Sequence, residues 1–550
     1  MKRLIFCLTL LLITCNCFAH VGSPGVTFEG NAGRYKVIVS ITPPDVIPGT
    51  AQVSVFLEES TKGITVSAKP VYWAAGTDGT PKADIALPAE NQPGRFDVKI
   101  WFMNIGASSI DITINGPKGT GTVLVPVMAI STAKKTMPAG LGWGLLAMAA
   151  FLVILMVTII GSSVGDSQLE PGARLTKSIR RRKVIGGASA LVILLLILWG
   201  GRAWWNAAAN KYNEFLYRPL QATTTVDAET GTLRFTIDTN ELNNMGRVKR
   251  MNITRKMSYL IPDHGKLMHL FLIKANDLEV FAHLHPRRID SVTFEAKMPN
   301  LPPGKYWVYA DITRLSGFAE TIVDTVDIKN HIFHNVGLNN SSAASDADDT
   351  FYITNPVNNN APTLSGAATC GLPGVATKLA DGSTAIWMQR PGVQLKANEL
   401  TQLNFEILDP NGRPAQLEPY MGMLAHAVIL KDDGSVYIHL HPAGSYSMGS
   451  QKALLDRIAF HEPLDKYLPQ PKEFADSIDR FVARLNAMPE ADRNKLLMAG
   501  IPAMSTADMN GMQHQISFPY TFPQPGKYRI WVQAKRNGQI INSAFDADVK

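Results

Sequence analysis

Two stretches of the chain share one order of apolar and polar positions. The first reads Leu267-Met-His269-Leu-Phe-Leu-Ile, a polar turn, then Phe281-Ala-His283-Leu-His285-Pro286. The second reads Leu424-Ala-His426-Ala-Val-Ile-Leu, a polar turn, then Tyr437-Ile-His439-Leu-His441-Pro442. An apolar run, a turn and a second run of this length predict a β-hairpin in each place. The flanking strands repeat as well. Leu233-Arg-Phe-Thr-Ile-Asp precedes one hairpin and Leu403-Asn-Phe-Glu-Ile-Leu the other, while Pro303-Gly304-Lys-Tyr and Pro525-Gly526-Lys-Tyr follow them. The chain therefore carries an internal duplication.

Elsewhere, period-two alternation in Tyr35-Lys-Val-Ile-Val-Ser-Ile, Ala51-Gln-Val-Ser-Val-Phe-Leu and Phe96-Asp-Val-Lys-Ile-Trp-Phe predicts an antiparallel sandwich of immunoglobulin-like size over 20–138. Charge-free runs at 139–161 and 184–201 are each long enough to cross a bilayer, and Trp204-Trp205 forms an interfacial belt. Helical spacing of Phe474, Ile478, Phe481, Val482 and Leu485 after Pro471 predicts a helix, and a second is expected from Glu490 to about Gly500. The two helices are expected to pack their Phe474/Phe481 face on the second of the duplicated His regions.

The expected fold class is mainly β: three extracytoplasmic β-sandwich domains, a two-helix transmembrane hairpin, and a small helical insertion in the last domain. The boundaries are a signal peptide over 1–19, a sandwich over 20–138, helices over 139–161 and 184–201 with a basic cytoplasmic loop 162–183, the first His-x-His-Pro repeat over 207–330, an Asn/Ser-rich linker over 331–380, and the second repeat over 381–550 with its insertion at 450–515.

Charge and cysteine content change this picture in two places. The formal net charge is +7. Arg174, Lys177, Arg180, Arg181, Arg182 and Lys183 form its tight knot between the apolar runs, so the excess reads as a topology signal and not as a nucleic-acid surface. With that knot inside, the flanking β regions lie outside, in agreement with a leader cleaved after Ala19. The alternative leader ends at a lipidated Cys15. Three of the four cysteines lie in the leader, so cleavage after Ala19 leaves Cys370 alone and no intrachain disulfide.

The candidate chemistry lies in the hairpins. Asp433-Gly434 predicts a type I′ turn, which sets His426 opposite His441 with His439 on the same face. A three-residue loop centred on Asp277 sets His269 opposite His285, beside His283. Opposed Cβ atoms are about 5 Å apart, and imidazoles close on one metal at about 2 Å. The alternative is solvated imidazoles on ordinary sandwich strands. Aligning the copies places His264 against Met421, each two residues after Pro (Pro262, Pro419) and before Gly (Gly265, Gly422), so both are candidate additional ligands. Met504, Met509, Met512 and His514 form a soft-ligand group in the insertion, with gap-filling core as the competing reading. His331 and His334 read as a solvated strand end.

The strand pattern and His20 at the expected mature terminus resemble YtkA-like and CopC-type copper proteins, in which that histidine chelates copper together with a second one. Residues 21–138 supply no second histidine. The His-x-His-Pro repeats are similar to modules of bacterial membrane proteins that accompany heavy-metal handling. The resemblance implies cupredoxin- or immunoglobulin-like sandwiches and a copper ligand set.

The leading expectation is a membrane-anchored protein at the cytoplasmic membrane, its large domains on the periplasmic side, binding copper, with zinc as the competing ion. Its partners are the lipid bilayer and a copper-requiring membrane enzyme or transporter; no nucleic acid is expected. A non-metal interaction scaffold is the alternative. A zinc hydrolase comes last, because no His-Glu-x-x-His motif is present and only Glu462, beside His461, offers a base.

Overall fold

Alternation along the first strands turns one face of each inward. In the computed structural model, β1 (Val26–Ala32), β2 (Tyr35–Thr42), β3 (Gly49–Leu57), β4 (Thr65–Tyr72), β5 (Asp84–Ile85), β6 (Leu87–Pro88), β7 (Arg95–Phe102), β8 (Gly106–Gly116) and β9 (Gly119–Ala129) form two antiparallel sheets. Their orders are β1-β2-β3-β7-β6 and β5-β4-β8-β9. Tyr35, Val37, Val39 and Ile41 of β2 are buried in the core between them. The residues described are 25–58, 62–90, 92–133, 137–167, 169–170, 172–214, 216–227, 229–240, 256–329, 345–357, 367–390, 392–499 and 515–550. The expected leader, His20, His331, His334, Met504, Met509, Met512 and His514 lie outside them.

The two His repeats are each a sandwich. The first pairs β10 (Gln221–Asp227), β11 (Thr232–Asp238), β16 (Thr293–Lys297) and β15 (Arg287–Arg288) in one sheet. Its other sheet has the order β12 (Leu260–Ile261), β17 (Gly304–Arg314), β13 (His269–Lys274), β14 (Val280–Leu284), β19 (Thr350–Ile353), with β18 (Ala319–Ile328) also on β17. The second repeat has β20 (Ala376–Lys378), β21 (Thr384–Trp387), β22 (Leu400–Leu408) and β25 (Gln515–Thr521) in one sheet. Its other sheet runs β24 (Tyr437–Leu440), β23 (Ala425–Lys431), β26 (Gly526–Arg536), β27 (Gln539–Val549).

The His-bearing sheets of the two repeats pack against each other. Leu270, Leu272 and Leu284 face the core of their own sandwich, while Phe271, Ile273, Phe281 and Tyr309 share a second core with Val428, Leu430, Tyr437 and Trp531. Strands β13 and β23 are accordingly buried at every position but the last. That is why their sequences read as unbroken apolar runs and not as alternations.

Three expectations are corrected here. Asp433-Gly434 is not a type I′ turn, because Gly434 alone has positive φ (74°). The turn closes from Gly434 N–H to the Lys431 carbonyl, with Asp433 Oδ1 accepting from Ser435 N–H at 2.9 Å. The longer loop is symmetric about the same centre, so the register is unchanged. Next, the stretch read as linker is partly built in: β19 pairs with β14 and completes its sheet. Finally, the insertion packs on the first repeat. Its helices are α3 (Met448–Ala459), α4 (Leu464–Tyr467), α5 (Pro471–Ala487) and α6 (Glu490–Ala499), numbered after the two long apolar helices below. Ile478 and Val482 of α5 lie on the first repeat's core, Phe474 on Tyr259, and Arg288 forks onto Asp479. The second repeat's free sheet face is already covered by the first, so the helix's apolar stripe is buried one layer further on.

Residues 130–217 form a separate compact unit. Helices α1 (Ala139–Asp166, 28 residues) and α2 (Lys177–Glu214, 38 residues) are long and apolar enough to cross a membrane. They pack antiparallel through small residues, Gly161 against Gly187 and Gly165 against Lys183, whose Nζ lies 2.5 Å from Asp166. Phe151, Leu196 and Trp199 are exposed. Both helices run past the expected limits, so Arg180 to Lys183 sit in the first turns of α2 and not in a loop.

Candidate metal centre

Register determines which histidines can meet. Leu270 pairs with Leu284 and Phe271 with His283, which carries His269 to the position opposite His285. Ala427 pairs with Leu440 and Val428 with His439, which carries His426 opposite His441. Both registers are those expected from the sequence. Because the hairpins present these side chains on the faces that pack together, all six histidines enter one buried region, and His264 joins them. The seven are at most 8% exposed.

Two groups bring three ligand atoms each within 4.8 Å of one another: His269, His283 and His285, and His264, His426 and His441. In the first, ring centroids are 4.4 Å (His283–His285), 5.1 Å (His269–His285) and 5.3 Å (His269–His283) apart. In the second they are 4.4 Å (His264–His441), 5.1 Å (His264–His426) and 5.2 Å (His426–His441) apart. His439 bridges the groups, 4.6 Å from His441 and 5.2 Å from His269. Each expected triad converges, His426 and His439 lying 5.5 Å apart in the second, but the two triads are not separate. The second group takes His264 from the other repeat, and His439 stands between the two.

The orientation of the Gln533 and Asn542 amides sets one proton arrangement for the first group. Gln533 donates through Nε2 to Asn542 Oδ1 at 2.9 Å, which leaves its Oε1 to accept from His283 Nδ1–H at 2.9 Å. His269 donates Nε2–H to the Asp263 carbonyl at 3.1 Å. In neutral rings the remaining nitrogens, His269 Nδ1 and His283 Nε2, are then both bare, and they face each other at 3.1 Å. That separation suits one proton shared between the two rings or one metal ion bound by both. Nitrogens sharing one tetrahedral ion lie about 3.3 Å apart.

The other rings follow the same rule. His285 Nδ1 is held by Asp349 at 3.0 Å and His441 Nδ1 by the Tyr446 carbonyl at 3.2 Å, while the Nε2 of each is buried without a partner. His439 Nε2 and both nitrogens of His426 are likewise unpartnered. His264 Nε2 lies 3.5 Å from Asp263, too far for a hydrogen bond. Buried polar atoms are normally satisfied. Six orphaned imidazole nitrogens lie in one region, and His285 and His441 are each fixed through the opposite nitrogen, as metal ligands held by outer partners are.

Burial is the main cause that holds His264, His269, His283, His426 and His441 below the ordinary imidazole pKa; neighbouring imidazoles reinforce it for His269 and His426, whereas Asp263 beside His264 opposes it. The neutral, ligating form is therefore favoured at neutral pH. A third group, His285 with Asp346 and Asp349, is a weaker metal candidate. Lys266 Nζ already sits 2.5 Å from Asp346 and 2.9 Å from Asp348.

The N-terminal sandwich supports the second group. Thr27 and Glu29 of β1 bond to Ser445 and Ala443, and Phe28 meets Tyr446 at 5.4 Å, so the loop that carries the carbonyl acceptor of His441 is clamped. Sequence reading missed Asp349, Gln533 and Asp311 as outer partners. A signal was present: Asp311 and Gln533 sit at the same place in their repeats, each a polar residue just after the run Trp307-Val-Tyr-Ala or Ile530-Trp-Val, opposite His269 and His426. His461 and Glu462 are exposed after α3.

A family model for a domain of unknown function (DUF8832) matches residues 224–330 and 378–464, segments that hold His264 to His285 and Met421 to His441. No curated protein matches the chain. Among solved structures, the tetra-tandem repeat in the extending region of a large adhesion protein is 7% identical, covering 92% of this chain and 72% of its own, with a TM-score of 0.14. The BSP domain of a biofilm-associated protein is 8% identical, covering 100% and 70%, also with a TM-score of 0.14. Likenesses at that level carry no inference about this chain.

Proposed function

We propose that the chain is a membrane-anchored, extracytoplasmic metal-binding protein that holds copper, with zinc as the competing ion, between its two His repeats. Its role is metal homeostasis or delivery to a copper-requiring membrane enzyme or transporter. The observation that carries this reading is the convergence of seven buried imidazoles, with His269 Nδ1 and His283 Nε2 3.1 Å apart and six further ring nitrogens without a hydrogen-bond partner. Imidazole donors suit copper and zinc and disfavour magnesium or calcium. The periplasmic placement rests on the leader-like first residues and on the basic knot between the apolar helices, which together put both β regions on one side of the cytoplasmic membrane.

Metal analysis of the full chain, purified in detergent without a metal-affinity step and then challenged with Cu(I), Cu(II) and Zn(II), tests the reading. Stoichiometric retention of copper or zinc through gel filtration, lost in H283A and H441A, is expected. A chain that retains neither ion leaves the seven histidines as packing in an interaction scaffold.

A further inference from the structure

The two repeats are related by a pseudo-twofold axis, and contacts cross it in matched pairs. Phe281 stacks on Trp531 at 5.0 Å, and their counterparts Tyr437 and Tyr309 stack at 4.2 Å. His283 bonds to Gln533, and its counterpart His439 lies 3.5 Å from Asp311, which is the counterpart of Gln533. In every case a residue of one repeat meets a residue of the other, and exchanging the repeats generates the second contact.

His264 takes part in the same exchange. It sits in a tight turn with φ 49°, followed by Gly265 at 83°, and Met421 repeats this backbone with φ 50° and Gly422 at 78°. The bridges Asp263–Lys266 and Tyr420–Met423 close the two turns alike. Both turns rest on one side chain, because a Cβ on Gly265 or on Gly422 would meet Leu497 of α6. His264 reaches across the axis to His426 and His441 of the other repeat. The same operation carries Met421 to His269 and His285. Met421 is 1% exposed, and its backbone hydrogen-bonds to His264, so its turn lies against the imidazoles.

We infer that the centre holds two unlike metal positions: one with nitrogen donors only, from His264, His426 and His441 with His439 beside them, and one in which the Met421 thioether joins His269, His283 and His285. This rests on the metal-binding reading above. A thioether favours Cu(I), whereas an all-imidazole set accepts both Cu(II) and Zn(II), Cu(II) the more tightly. The duplication has thus diverged at one ligand, giving a position that retains reduced copper beside one that does not select for it.

The test uses the full chain in detergent, titrated with Cu(I) against a competing chelator and separately with Zn(II), with X-ray absorption at the copper edge. Wild type is expected to bind two ions. M421L, which keeps bulk and backbone, should lower Cu(I) affinity at one of them at least tenfold, lose one Cu–S contribution and leave Zn(II) at the other unchanged. M421H should abolish the Cu–S signal while keeping two ions, since histidine already occupies this backbone conformation at position 264. H264M should add a Cu–S contribution. A wild-type chain that takes up neither ion overturns the metal-binding reading itself. A wild-type chain that binds ions, together with M421L of unaltered Cu(I) affinity and sulfur scattering, overturns the thioether assignment alone.

Discussion

Tyr309 and Tyr437 lie face to face, their ring centroids 4.2 Å apart and their planes 1° from parallel. One comes from each repeat, and both are buried. Tyr437 also donates to Asp311 Oδ2 at 3.0 Å, the carboxylate that faces His439. The aromatic contact and the metal centre therefore belong to one interface, and what holds the repeats together also sets the distances among the imidazoles.

Truncating this interface should reach the centre. Tyr437→Ala removes a large buried ring and leaves a cavity, a change that costs about 3–5 kcal/mol in aromatic cores. Urea denaturation should show that loss, and metal affinity should fall with it. A variant of reduced stability with wild-type metal affinity would separate the interface from the site.

Gln533 offers a milder probe, since it touches no ligand atom proposed for the metal. Gln533→Leu keeps the bulk and removes the acceptor that keeps the proton on His283 Nδ1. Loss of such an outer partner typically costs about 10- to 100-fold in metal affinity. Competition with a chelator measures it, and near-UV circular dichroism should show an intact fold.

Acid should unfold the metal-free chain early. His264, His269, His283, His426 and His441 titrate below the ordinary imidazole value in the folded state, mainly because burial disfavours the charged ring. Between those depressed values and about pH 6.5 the unfolded chain binds more protons, so stability rises with pH through that window and is lost as pH falls. Thermal melts of the metal-free protein from pH 8 to pH 5 should show a steep fall in Tm. Replacing two of the five histidines by Gln should flatten it.

Gly444 links the N-terminal sandwich to one half of the centre. It has φ 129°, and an added Cβ would lie 2.0 Å from the Thr27 carbonyl. Gly444→Ala should push β1 away from the loop that carries the Tyr446 carbonyl and weaken ligation by His441. Limited proteolysis should release the N-terminal sandwich faster, and one of the two bound ions should be lost before the other.

Both hairpins were legible in the sequence, because a turn and a period of two fix which side chains share a face, and these are properties of a few adjacent residues. His269 opposite His285 and His426 opposite His441 followed from that alone, as did the two long apolar helices and the sandwich strands. The equivalence of His264 and Met421 was also readable, since the Pro and Gly spacing around them repeats. What the sequence could not supply was the partner of each outer sheet face. Phe271, Phe281, Val428 and Tyr437 announce by their apolarity that something covers them, but burial is non-directional and names no partner. Only the tertiary structure decided that the repeats cover each other, that His264 serves the opposite hairpin, that Asp349 from the stretch read as linker orients His285, and that α5 packs on the first repeat. Each of these joins residues far apart in the chain, where no local periodicity links the two ends.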